Sequence, residues 1–196
     1  TVFAEATEIL DTINWGIRYD VPVGQNTASN NVFSYVAASI MAAQNGTVVT
    51  IDPDGTGPAG TTTCTLNEGE SCVVGALNQG ATIISTAPVQ VDLITGNAGA
   101  DWRSDWTTLY PTESWSSSYY APVGTASSAP TRLYLYNPGS SSLTVKCDFA
   151  SPNSSVTVNI AAHTASSVTV PNASGSHCYS TSPVGGNFFG VGVIDA

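Results

Sequence analysis

Positive charge is what this chain has least of. Lys and Arg number four in 196 residues against fourteen Asp and Glu, a formal net charge of −10. The four are Arg18, Arg103, Arg132 and Lys146, and they do not cluster. Nucleic-acid binding needs clustered cations to displace counterions, and an anionic membrane surface needs the same, so neither is an expected partner. Charge of either sign is scarce at 9%, far below the roughly 25% usual in soluble domains. Long apolar runs are missing too. The longest, Val32 to Ala43, is too short to cross a bilayer and is broken by Ser34 and Ser39. Helix signals are nearly absent, and the Ala-rich stretch from Ala37 to Ala43 reads equally well as a strand.

Catalytic signatures are lacking as well. There is no Gly-x-Ser-x-Gly elbow, no phosphate loop and no dinucleotide fingerprint. The two histidines, His163 and His177, leave a Ser-His-Asp set to geometry alone. His177 is expected on a loop beside a disulfide. Glu68 and Glu70 form an acidic pair with no accompanying nucleophile. The expectation is a protein that is not an enzyme and requires no cofactor.

What the chain does have is a repeat. Trp15, Tyr19, Pro22 and Gly24 return as Trp115, Tyr119, Pro122 and Gly124 at unchanged spacing. A second echo follows, Ser85-Thr86-Ala87-Pro88-Val89 against Ser180-Thr181-Ser182-Pro183-Val184. Duplicated modules point to proteins that build, span or bind. The boundary is expected within the small-residue stretch Gly96 to Ala100, giving modules over 1–98 and 99–196. Aromatics just beyond it, Trp102 and Trp106, are candidates to wedge the modules together or to serve the second core. Short β-branched runs broken by Gly, Pro, Asn or Asp fill both modules, for example Thr47–Ile51, Ala81–Ser85, Arg132–Tyr136 and Phe188–Ile194. The predicted fold is all-β, two tandem antiparallel β-sandwiches of Ig-like or jelly-roll-like form.

The four cysteines sit two per module, with no Cys-x-x-Cys pair to favour zinc. Two disulfides in an oxidising compartment are expected. Cys64 and Cys72 flank the turn Asn67-Glu68-Gly69 and can face each other across a hairpin. Cys147 and Cys178 align with Ile51 and Ile83 on strands of the first module. The expected pairs are Cys64–Cys72 and Cys147–Cys178. Thr1 reads either as the first residue after signal removal or as a boundary within a longer chain.

Trp15-Gly16-x-Arg18-Tyr19-x-Val21-Pro22, Gly46-Thr47-x-Val49-Thr50-Ile51, Leu66-x-x-Gly69-Glu70 and Pro88-Val89-x-Val91 together resemble the IgGFc-binding-protein-like repeat. The resemblance covers about residues 11–96 and is weaker in the second module, where Ser116 replaces Gly16 and His163 stands for Gly69. It implies a secreted or surface-exposed, modular, all-β protein of adhesive or matrix-forming type. It does not carry over binding of antibody Fc, for which no residue set is visible.

Asp52-Pro53-Asp54-Gly55 places two carboxylates two residues apart before glycines. Calcium loops use that spacing, since alternate side chains in a tight turn converge on one cation. A plain Pro-Asp-Gly hairpin turn has the same residues. Asn45, Asn153 and Asn172 each begin an Asn-x-Ser/Thr sequon beside a predicted turn. Residues 1–10 and Phe188–Ile194 read as terminal strands, and an open strand edge recruits a partner strand. Copies of the same chain, neighbouring repeats, or a glycan or surface protein are thus the expected partners. The leading expectation is an extracellular structural or adhesive protein, a subunit of a fibre, sheath or stalk. The alternative is a lectin-like or protein-binding module, with calcium near Asp52.

Overall fold

The computed structural model describes residues 8–27, 32–98, 104–122, 124, 131–150, 154–182 and 186–194. The chain is all-β: these residues form fourteen strands and two 3₁₀ turns, and every strand pairing is antiparallel. They divide into two compact units, Thr1–Ser114 and Trp115–Ala196.

The first unit holds β1 (Gly16–Asp20), β2 (Tyr35–Ala42), β3 (Thr47–Asp52), β4 (Thr62–Leu66), β5 (Ser71–Gly75), β6 (Thr82–Gly96) and β7 (Ser104–Leu109). Strand β6 runs for 15 residues and serves two sets of neighbours. Its start, Thr82 to Ser85, pairs with β1 and β3. Its end, Val89 to Gly96, pairs with β2 and β7. The change of partner falls at Thr86-Ala87-Pro88, where proline offers no N–H to a ladder. Side chains replace the missing bonds: Ser85 Oγ donates to the Ala87 carbonyl at 2.7 Å, and Thr86 Oγ1 accepts from Val48 N–H at 2.9 Å. Alternate residues such as Val49, Ile51, Ile83, Val91 and Leu93 are fully buried.

The second unit repeats this plan with the long strand cut in two. Its strands are β8 (Ser118–Ala121), β9 (Thr131–Tyr136), β10 (Leu143–Phe149), β11 (Val156–Ile160), β12 (Ala165–Val170), β13 (Ser176–Ser180) and β14 (Phe189–Ile194). One sheet has the order β11-β10-β13-β8 and the other β12-β9-β14. Leu133, Leu135, Val168 and Val170 of one sheet share a core with Val145, Cys147, Ile160 and Cys178 of the other. That interlayer core makes the unit a sandwich.

The units divide at Ser114 and Trp115, later than the stretch 96–100. Strand β7 turns back and pairs with β6 along six positions, Val91↔Leu109 to Gly96↔Ser104, so the segment that carries it belongs to the first unit. Trp106 lies on this strand opposite Ile94, 39% exposed, while Trp102 lies outside the described residues.

The repeat around each tryptophan has a physical content. A 3₁₀ turn, Thr12–Asn14 or Thr112–Ser114, immediately precedes it. Four residues on, the tyrosine hydroxyl accepts a backbone N–H: Gly16 to Tyr19 at 2.9 Å, Ser116 to Tyr119 at 2.8 Å. These bonds satisfy N–H groups at the entry to the strand, which would otherwise lack partners. The glycine at the end of the motif is also used alike. A Cβ on Gly24 would overlap the backbone of Asn78 and Gln79, and one on Gly124 the backbone of Ser174.

Cys64 is bonded to Cys72 and Cys147 to Cys178, each pair within its own unit. The second pair joins residues directly opposite each other on β10 and β13.

Candidate functional site

Side-chain alternation sorts the sheet β11-β10-β13-β8 into two unlike faces. Tyr119, Val145, Cys147 and Cys178 point into the core. The residues between them, Ser118, Tyr120, Lys146, Asp148, His177 and Tyr179, share the outer face. Register sets Tyr120 opposite His177 and His177 opposite Asp148, with Ser118, Tyr179 and Lys146 forming the next row.

These six side chains touch one another. The rings of Tyr120 and His177 are parallel within 2°, with centroids 4.1 Å apart, and Tyr179 follows His177 at 4.9 Å. Ser118 Oγ is 2.9 Å from His177 Nε2. Tyr179 donates its hydroxyl to Asp148 at 3.1 Å, and Lys146 meets the other Asp148 oxygen at 2.8 Å. Lys146 also stands over the Tyr179 ring, 5.8 Å from its centroid. The Lys146 hydrogen bond holds the Asp148 carboxyl below the usual carboxylate range, and Tyr179 adds to this. Asp148 in turn raises the Lys146 ammonium. Solvent screens such a surface pair, so its contribution to stability is small. Its effect is to fix the Tyr179 hydroxyl in place.

Tyr120 is 78% exposed, with its ring supported by His177 and not by a core. A shallow cleft extends the face beyond Tyr120, lined by Pro122, Phe149, Gly175 and His177. The Ser118–His177 contact brings a hydroxyl to an imidazole. The carboxylate beside them is engaged by Lys146 and Tyr179, so rings, hydroxyls and one ion pair stand together on this sheet face.

Residues 5–190 match the family model described as IgGFc binding protein. The chain belongs to the IgGFc binding protein family. The match covers most of the chain and reaches into both units, and it is to a family of extracellular, surface type. No curated protein and no solved structure matches the chain.

In this member of the IgGFc binding protein family, the candidate residues read from the sequence lie elsewhere. Asp52 and Asp54 organise a turn. Asp52 accepts from the N–H groups of Asp54, Gly55 and Gly57 at 3.3, 3.0 and 3.0 Å. Asp54 accepts from the Thr56 hydroxyl at 2.7 Å and its N–H at 3.0 Å, which holds its carboxyl below the usual range. Among the described residues, no third His, Cys, Asp or Glu gathers with them. Glu70 accepts from the Asn67 N–H at 2.8 Å in the turn between β4 and β5, which is not the expected hairpin, since β4 pairs with β3 and β5 with β2. Asn45 and Asn172 are exposed at turns, while Asn153 lies outside the described residues. The Asn45 side chain also accepts from the Glu68 N–H at 3.0 Å.

His177 stands on β13, not on a loop, and this brings the face together. The signal was present in Ser176-His177-Cys178-Tyr179-Ser180, where alternation about a buried cysteine sends His177 and Tyr179 outward. On β8 the four residues Ser118-Tyr119-Tyr120-Ala121 gave no such clue, since two adjacent tyrosines do not show which one faces outward.

Proposed function

We propose that this chain is an extracellular adhesive protein that recognises a protein partner through the outer face of its second unit. The observation that carries the reading is the upright ring ladder Tyr120–His177–Tyr179, exposed yet fixed by cross-strand stacking and by the Asp148–Lys146 pair. Tyrosine gives large contact area at low entropic cost and is enriched in protein interfaces. Rings standing edge-up offer hydroxyls and edges to a partner, which suits a protein surface better than stacking on a flat sugar. Membership of the IgGFc binding protein family supports protein recognition in general. The family's printed ligand enters as a probe and is not assigned to this chain.

Adhesion of beads coated with the chain to the source cells tests the reading, with IgG Fc and a glycan array as further arms. Tyr120→Ala combined with Tyr179→Ala should abolish adhesion while circular dichroism stays native. Unchanged adhesion by the folded variant, or binding confined to the glycan array, would overturn the protein-recognition role. Assembly into a fibre is the wider role that two tandem units support, and negative-stain microscopy of the native material tests it directly. Regular filaments are the outcome expected for a fibre subunit, and monodisperse single particles would remove that role.

A further inference from the structure

The two units can be compared residue by residue through their hydrogen-bond registers. In the first, Ala38 faces Leu93 and Ile40 faces Val91 across β2 and β6. In the second, Leu133 faces Gly192 and Leu135 faces Gly190 across β9 and β14. The anchor below is shared, since Gly16 bridges Val89 and Ser116 bridges Phe188. Val91 and Leu93, both fully buried, therefore correspond to Gly190 and Gly192. One further core position loses volume, and its partner gains a hydroxyl. Val21 bonds to Ala81, and the equivalent pair is Ala121 and Ser176. Leu133 in place of Ala38 restores part of the lost volume. A cleft of about 290 Å³ lies here, lined by Ala121, Ser176, Gly190, Gly192, Leu133 and Leu135 among others, and it opens to solvent at Gly192.

Thr131 and Ser176 bring side-chain hydroxyls to this mostly apolar space. Ser176 Oγ is buried, the residue being 6% exposed, and it has no hydrogen-bond partner among the described residues. An unpaired buried hydroxyl is unfavourable, and the first unit has alanine at this position. An apolar cleft of this size with a buried, unpaired hydroxyl in its wall offers a ligand both contact area and a hydrogen bond.

We propose that this cleft of the second unit binds a small neutral apolar molecule bearing one hydroxyl or carbonyl group. Among the described residues none that lines the cleft is charged, so a charged ligand would find no counter-ion among them. Aliphatic cavities of about 150 Å³ already admit benzene, and this cleft accommodates on the order of ten carbon atoms. The ligand's polar group pairs with Ser176 Oγ, and its hydrocarbon occupies the space that Val91 and Leu93 fill in the first unit. Tyr120 of β8, whose ring stands on the outer face, also borders the cleft.

Titration calorimetry of the whole chain with 1-hexanol, 1-octanol and 1-decanol tests this. The expected result is saturable one-to-one binding that tightens about fourfold per methylene until the cleft is full. Gly192→Leu, which restores the residue of the first unit, should abolish binding. The gentler Gly190→Ala should weaken it, since a Cβ there meets only Leu135 Cδ2 at 3.3 Å. Ser176→Ala should weaken 1-octanol binding about fivefold. Absence of saturable binding for all three alcohols would mean an empty cleft and would overturn the proposal. So would binding of equal strength in Gly190→Ala and Gly192→Leu, both shown to be folded.

Discussion

Tyr19 faces Ile83 in the first unit, and Tyr119 faces Cys178 in the second. Around this shared pair the two units differ on both sides of the sheet. On the outer side the first has Arg18, Asp20, Thr82 and Ile84, with Asp20 buried against Arg18 at 3.1 Å and its N–H donating to Thr112 Oγ1 at 2.8 Å. The second has Ser118, Tyr120, His177 and Tyr179, an open aromatic ladder. On the inner side the first is filled by Val91 and Leu93, and the second has Gly190 and Gly192. The repeated residues build the sandwich, and the departures from the repeat, all in the second unit, gather the chemistry.

The largest expected effect tests the filled core against the open one. Leu93→Ala should destabilise the first unit by about 3–5 kcal/mol in chemical denaturation, because it creates a void in tight packing. Leu133→Ala, beside an existing cleft, should cost visibly less. Equal costs would show that the second unit's cleft does not loosen its surroundings.

The disulfides come next. Removing Cys147–Cys178, which closes a separation of 31 residues, should cost about 4 kcal/mol. Removing Cys64–Cys72, with a separation of 8, should cost about 2–3 kcal/mol. Paired Cys→Ala variants followed by calorimetry would reveal the order, and a reversed order would break the comparison.

The shared tyrosines give a smaller effect with a definite pH window. Burial pushes the Tyr19 phenol up to about 12, from an ordinary value of 10.0. Burial raises Tyr119 as well. Between these values the folded chain keeps a proton that the unfolded chain has lost. The stabilisation is complete below about pH 10 and is lost as pH rises through about 12. Denaturation midpoints should therefore fall across that window. Tyr19→Phe should flatten part of the fall and lower neutral-pH stability by about 1–2 kcal/mol, since the Gly16 N–H loses its acceptor. A fall that began well below pH 10 would point to other groups.

The smallest effect lies in the turns that lead from β4 to β5 and from β11 to β12. Gly69 and His163 hold equivalent places, at φ +79° and +54°. Both turns close alike, Glu70 N–H to Asn67 and Thr164 N–H to Ala161. The left-handed region is unfavourable for a residue with a side chain. His163→Gly should raise stability by about 0.5–1 kcal/mol, measured as a higher melting temperature. No gain would mean that the histidine side chain makes a compensating contact.

Much of the scaffold was legible in the sequence. Period-two runs such as Thr47–Ile51 and Leu143–Phe149 are strands because alternate residues must be buried. The cysteines could be paired because one pair flanks a short turn and the other aligns with strand positions, and the same pairs are bonded in the structure. Alignment of Gly69 with His163 captured a shared turn. The strand β7 was harder to read, since Ser104–Leu109 lacks clear alternation and gains its role by pairing with β6. The ligand-facing features were harder still. Asp52 and Asp54 have the spacing of cation ligands, yet their oxygens accept from the N–H groups of their own turn. The ladder on the outer face needs β8 and β13 side by side, although Ser118 and His177 lie far apart along the chain.

The sequence by itself determined an acidic, cation-poor, all-β chain with a duplicated motif and two disulfides. These follow from composition, periodicity and local spacing, which act over a few residues. Tertiary structure alone decided where the units divide, which side chains form the ring ladder, and that Gly190 and Gly192 stand where Val91 and Leu93 would fill a core. Each depends on strand register. Register is set by the packing of whole sheets, and a shift of one residue would turn every side chain to the opposite face.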